Sequence, residues 1–204
     1  MNVGAEILSR ISRVWDAVRD VFLHRAYFYV VGSALYKRKP RDLDLLLIVK
    51  EARDSEFARF GRLVDRIGGV KVGIGYAISS DRIIGDWNTW VGVISLEKLD
   101  KTPPVLLRTW RENHLAVVGP PLDALVQPVK ITLDDVIYGM YGVKYCEDVL
   151  ANNRAYEIVL SGDSFTMRKV VLNDEQERFF KEYCKKWIKL NLVAAGIYEG
   201  LRFD

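Results

Sequence analysis

The chain has 204 residues, half of them hydrophobic and 28% charged, which suits one large domain or a domain with a helical annex and excludes wholesale disorder. Lys and Arg number 30 against 27 Asp and Glu, a net charge of +3 too small to mark a dedicated nucleic-acid binder unless the excess is local. Cys146, Cys184, His24 and His114 fall outside any zinc-ligand spacing, so a zinc enzyme and a disulfide scaffold both drop out.

In chain order, Ile7, Ile11, Val14, Val18 and Phe22 recur at helical spacing and predict an amphipathic helix from Ala5 to Leu23. Tyr27 to Val31 reads as a strand stopped by Gly32. Leu43 to Val49 is an unbroken apolar run with no wet face, the mark of a central strand. Helical spacing returns from Ser55 to Ile67, with Asp54 or Ser55 as cap. Val70 to Ile78 predicts a single strand, with Gly73 and Gly75 on one face. A further strand is expected at Trp90 to Ser95, a helix from Pro103-Pro104 through Trp110, and a short strand at Leu115 to Val118.

Gly119-Pro120-Pro121 reads as a hinge between halves, dividing the chain into residues 1–120 and 121–204. Thr132-x-x-Asp135 resembles a capping box opening a helix marked by Leu133, Val136, Ile137, Met140 and Val143. Residues 155–172 admit two readings, a hairpin turning at Ser161-Gly162-Asp163 or a break between helices. Asn173 or Asp174 caps a last helix with one stripe, Phe180, Tyr183, Trp187, Leu190 and Ala194, read as core. Both histidines read as structural and both cysteines as small buried residues. No apolar run approaches the ~18 residues of a membrane helix and the first residues carry charge, so a soluble, cytoplasmic protein is expected. Glutamine is confined to Gln127 and Gln176 while charge is plentiful, a composition leaning toward a heat-adapted source.

Chemistry concentrates between Tyr29 and Val49. Strand alternation puts Asp42 and Asp44 on one face, with Leu43, Leu45 and Leu47 on the other. Two carboxylates at the mouth of a buried strand need positive charge nearby, since desolvating one unpaired costs several kcal/mol. A pair of divalent cations, typically Mg²⁺, is one answer. Gly32-Ser33 offers backbone N–H groups and a hydroxyl to phosphate oxygens. Lys37, Arg38, Lys39 and Arg41 then form a basic patch suited to a polyphosphate, and equally suited to a solvated turn.

Gly32-Ser33-Ala34-Leu35 followed by Lys39-Pro40 and Asp42-Leu43-Asp44-Leu45-Leu46 resembles the nucleotidyltransferase fold of the polymerase-beta superfamily, in particular the antibiotic (aminoglycoside) adenylyltransferases and minimal nucleotidyltransferases. The resemblance is strong over about twenty residues and loose over the first 140 or so, in Gly85-Asp86-Trp87 and Leu106 to Pro121. It implies an α/β fold with a mixed sheet and flanking helices over residues 1–120, and a mainly helical unit over 121–204. It also implies transfer of a nucleoside monophosphate from ATP or another nucleoside triphosphate to a hydroxyl. On that reading Gly32, Ser33, Lys37, Arg38 and Arg41 bind the nucleotide, while Asp42 and Asp44 hold two Mg²⁺ ions. The acceptor, a small molecule, a protein side chain or an RNA end, stays open.

Two departures stand out. The stretch between Ser33 and Asp42 is shorter than in such relatives and lacks their glycine, so the phosphate loop is tighter. The third carboxylate that the family takes from a later strand is missing, with Lys71 in its place. Asp86 is the substitute considered for a catalytic base, although an ordinary loop accounts for it more simply. The loss keeps open a second reading, a nucleotidyltransferase-like protein without turnover that binds nucleotide, RNA or a partner protein as a regulator. A third is an RNA-binding module using the basic loop.

Overall fold

The computed structural model describes residues 3–36, 43–67, 70–74, 77–78, 89–161 and 164–200. Helix α1 (Val3–Phe22) leads into β1 (Ala26–Val31), a 3-10 turn over Gly32–Leu35, and β2 (Leu43–Val49). Next come α2 (Asp54–Asp65), β3 (Val70–Ile74), β4 (Ala77–Ile78), β5 (Thr89–Ser95), a 3-10 segment over Leu96–Lys101, α3 (Pro104–Glu112), β6 (His114–Val118) and α4 (Leu122–Leu125). The remainder is α5 (Leu133–Asn152), β7 (Arg154–Ser161), β8 (Ser164–Val171) and α6 (Asp174–Tyr198). The architecture is therefore the α/β mixed sheet with a largely helical C-terminal part that was expected.

The first six strands form one sheet in the order β4-β3-β5-β2-β1-β6. β2 lies inside it, antiparallel to β1 and parallel to β5, which explains a run with no polar face. Leu43, Leu45, Leu47 and Val49 pack with Val14, Val18 and Phe22 of α1 and Phe60 and Val64 of α2. On the opposite face Leu46 and Ile48 join Tyr29, Val31, Leu99, Leu107, Leu122 and Val126. Each such buried side chain contributes about 1.5–3 kcal/mol, so this double burial anchors the strand.

Two expectations change in detail, and one alternative, at α6, is decided. Val70 to Ile78 is not one strand: β3 and β4 pair antiparallel, with Gly73 opposite Ile78 and Ile74 opposite Ala77. An apolar run containing glycines has no period to separate a crossing from a reversal. Gly75, and with it the expected shared face of Gly73 and Gly75, lies outside the described residues. At α2 the cap position falls to Arg53, whose N–H donates to Glu56 Oε2 at 2.9 Å, and Asp54 becomes the first helical residue, where its charge suits the helix dipole. Arg25 also donates to Glu56 and holds its carboxyl below the usual range, tying the start of α2 to the turn before β1. At α6 the cap is Asn173 rather than Asp174: Asn173 Oδ1 accepts the Gln176 N–H, and Gln176 Oε1 accepts that of Asn173.

The chain stays on the sheet beyond Gly119-Pro120-Pro121. Tyr29 Oη donates to the Pro120 carbonyl at 2.8 Å, and burial pushes that hydroxyl up to about 12. His114 bridges the segment, with Nδ1 3.1 Å from the Arg111 carbonyl and Nε2 accepting the Leu122 N–H at 2.9 Å, so it is the structural residue expected. Leu122 and Val126 then close the second core.

Thr132 and Asp135 form the expected capping box, the Thr132 N–H donating to Asp135 Oδ2 at 2.7 Å and the Asp135 N–H to Thr132 Oγ1 at 3.4 Å. Helix α5 ends at Asn153 in the left-handed region, φ 51°, which turns the chain into β7. Of the two readings for residues 155–172 the hairpin is realised, β7 pairing with β8 up to Ser161 opposite Ser164. Phe180 and Ala194 of the α6 stripe are buried, with Tyr183, Trp187 and Leu190 half-buried. Cys146 is buried and Cys184 half-buried, both as free thiols, and burial first, then the neighbouring Cys184, pushes Cys146 up to about 12. Among the described residues no helix is long and apolar enough to cross a membrane.

The α5–α6 seam depends on small residues. Gly139 faces Asn191, whose amide donates to the Val136 carbonyl, and Gly142 lies under the Trp187 ring. Ala in place of Gly at an ordinary helix position stabilises by about 1 kcal/mol. Here a Cβ at Gly142 would run into the indole. Gly142→Ala is therefore expected to lower stability, by about 1–3 kcal/mol in urea unfolding. A stabilised variant would mean that Trp187 yields freely.

Candidate functional site

The antiparallel register of β1 and β2 sets Val31 opposite Asp44. Immediately after Val31, Gly32 turns the chain with φ 77°, a conformation that only glycine adopts freely, and opens the 3-10 turn. Ala34 and Leu35 of that turn pack on the core shared with α1 and α2, so the turn is held from below. A Cβ on Gly32 would stand 2.6 Å from Asp44 Oδ2 and 3.3 Å from Asp44 Cβ. The backbone of Gly32 thus lies directly against the Asp44 carboxylate.

Asp44 shares its sheet face with Leu46 and Ile48 but, unlike them, is only half-buried, because it sits at the end where β2 begins. A buried strand thereby presents a carboxylate at its mouth next to a glycine turn. Such a turn can bring backbone N–H groups close to an anion, and a hard oxygen ligand beside it can hold a cation. Among the described residues no group of three or more His, Cys, Asp or Glu is gathered as a metal cluster. The described part of the site supplies one hard ligand, Asp44, and the cradle beside it.

The sequence singled out eight residues. Gly32 and Asp44 are brought together, and Ser33 follows within the same turn. Lys37, Arg38, Arg41, Asp42 and Asp86 lie outside the described residues, as does the expected common face of Asp42 and Asp44.

Strand pairing adds a position that sequence reasoning missed. Trp90 on β5 is the register partner of Asp44, and on its other side it is the partner of Lys71 on β3. Asp44, Trp90 and Lys71 therefore occupy one row across the sheet, with two strand spacings, roughly 10 Å, between the outer two backbones. Local pattern carries no trace of this row, because β5 enters between β2 and β3 from later in the chain.

No protein-family model and no curated protein matches the chain. A solved structure does. The spectinomycin adenyltransferase AAD(9) from Enterococcus faecialis, with ATP and spectinomycin, is similar at a TM-score of 0.49 and 14% identity, over 71% of this chain and 68% of that one.

The Gly32 contact can be tested on its own. Gly32→Ala should lower stability by about 1–3 kcal/mol, from left-handed strain and the clash with Asp44. Adding Asp44→Ala should recover the clash part in a double-mutant cycle of thermal unfolding, leaving the strain. Two strictly additive losses would separate Gly32 from Asp44.

Proposed function

We propose that the chain is a Mg²⁺-dependent nucleotidyltransferase that moves a nucleoside monophosphate, with ATP as the donor, to a hydroxyl acceptor. The single observation that carries this reading is the Gly32 backbone against Asp44, in the order of the Gly-Ser and Asp-x-Asp pattern. In the reaction the acceptor oxygen bonds to the α-phosphorus while the bond from that phosphorus to the bridging oxygen breaks. Pyrophosphate leaves, and the hydroxyl proton passes to a base.

The residues divide this work. Gly32 and Ser33 hold the leaving phosphates, the first by close backbone approach and the second by its hydroxyl. Asp42 and Asp44 are the ligands for Mg²⁺, which when bound supplies charge neutralisation on the phosphate oxygens. Lys37, Arg38 and Arg41 bind the triphosphate electrostatically. Asp86 is assigned as the base. The acceptor enters between the nucleotidyltransferase unit, 1–120, and the helical unit, 121–204, in a cytoplasmic protein.

One observation favours the regulator as second reading: Lys71 shares the row of Asp44. A protonated lysine cannot take a proton from the acceptor, and losing general-base help costs about 10²–10⁴ in rate. Binding without turnover is the outcome if nothing replaces it.

Calorimetry with ATP and Mg²⁺ decides the site. Asp44→Ala should abolish the Mg²⁺-dependent part of binding with the fold intact by circular dichroism, and Ser33→Ala should weaken it by roughly one to two orders of magnitude, a charged hydrogen bond's worth. Unchanged affinity in both would end the assignment. Incubation of labelled ATP with extract, read for pyrophosphate and labelled acceptor, then separates enzyme from regulator. Slow transfer that rises in Lys71→Asp supports the enzyme, and silence in both, with ATP still bound, supports the regulator.

A further inference from the structure

Helix α5 is apolar on two opposite sides. Gly139, Gly142 and Cys146 turn toward α6, where Asn191, Trp187 and Cys184 meet them. Leu133, Ile137, Met140 and Tyr141, spaced i, i+4, i+7 and i+8, share the other side and are half or more exposed, Tyr141 to 67%. On α6, Ile188 and Leu192 are exposed too, Leu192 to 63%. An exposed apolar face of this extent marks an interaction surface.

Charge selects the occupant. Helix α5 carries Asp134, Asp135, Glu147 and Asp148 against Lys144 alone. Between Lys181 and Leu192, α6 carries Lys181, Lys185, Lys186 and Lys189 against Glu182 alone, and Lys181, Lys185 and Lys189 lie on the turns that also carry Ile188 and Leu192. The acidic, apolar face of α5 is complementary to the basic, apolar face of α6. Both are carried by every copy of the chain.

We propose that two copies associate through this helix pair, α5 of each lying against α6 of the other around a two-fold axis, to complete an antiparallel four-helix bundle. A two-fold axis satisfies both faces at once and closes the assembly. It keeps α5 away from its own like-charged copy. Helices of 20 and 25 residues are about 30 and 37 Å long, and a face two helices wide buries on the order of 600 Å² per copy. The total, about 1,200 Å², reaches the lower end of a specific interface.

The test is sedimentation equilibrium of the full chain across micromolar concentrations. A dimer is expected, and a monomer throughout would overturn the pairing. Met140→Glu and Leu192→Glu, both at exposed positions, should each raise the dimer Kd by roughly thirtyfold or more, the size of an interface hot spot. A dimer indifferent to both forms elsewhere, and the proposal falls. Reversing Lys181, Lys185 and Lys189 to Glu should also weaken association. Reversing Asp134, Glu147 and Asp148 to Lys in that same chain should restore it, since the swapped faces are again complementary. Failure to restore would show that α5 does not face α6 of the other copy. Should Met140→Glu lose its cooperative melt, Leu192→Glu and the charge swap decide the matter alone.

Discussion

The candidate site depends on the absence of a side chain at Gly32. The β1–β2 pairing brings the end of one strand and the start of the next to the same level, Val31 opposite Asp44, so whatever follows Val31 must pass over the carboxylate. Any L side chain there would meet Asp44 Oδ2 at less than van der Waals distance, in a backbone conformation that L residues avoid. Glycine removes both costs together and leaves its backbone directly against the carboxylate. A site for a metal-bound polyphosphate needs those two kinds of group adjacent, one for the cation and one for the anion.

Such closeness is only useful if it is rigid, and rigidity comes from β2. Its neighbours on both edges and its burial on both faces leave the strand no register to slip into, because a shift by one residue would put Asp44 into the core against α1 and α2. The cost of burying a carboxylate there exceeds what any single apolar contact returns. The same packing that makes Leu43 to Val49 so apolar therefore fixes where Asp44 can be.

This is also why the strand, and the closeness of Gly32 to Asp44 at its mouth, were readable from the residues alone. An apolar run bounded by charge, a glycine after a strand and a pair of acids around a leucine are local patterns, each with its own physical cause. Caps were legible within a residue or so: Thr132 and Asp135 were recognised outright, whereas Arg53 displaced Asp54 because Glu56 serves the backbone and Arg25 at once. The strand at Val70 to Ile78 was misjudged, since reversal is decided by what the second half pairs with. Non-local pairing also hid the row of Asp44, Trp90 and Lys71. Five of the eight residues chosen for the site fall outside the described part of the chain, so the structure speaks for its glycine turn and one carboxylate.

Helix α5 shows the converse limit of periodicity. A stripe is legible when one side of a helix is wet, but α5 alternates glycines and small residues toward α6 with Tyr141, Met140 and aliphatic residues away from it, and the two stripes cancel in any one-sided reading. Glycines inside a helix cost stability unless a close neighbour returns it, and Trp187 and Asn191 are that neighbour. The seam is thus explained by contacts within one chain, while on the opposite side Leu133, Ile137, Met140 and Tyr141 stay half or more exposed. Solubility alone would favour charge there. On the stretches that bear this apolar surface the charge differs in sign: α5 carries Asp134, Asp135, Glu147 and Asp148 against Lys144, and α6 from Lys181 to Leu192 carries four lysines against Glu182, with Lys181 and Lys185 also pairing with Glu177 and Glu182 of α6 itself. Sorting by sign between two helices has a physical use when each must find the other on a separate copy.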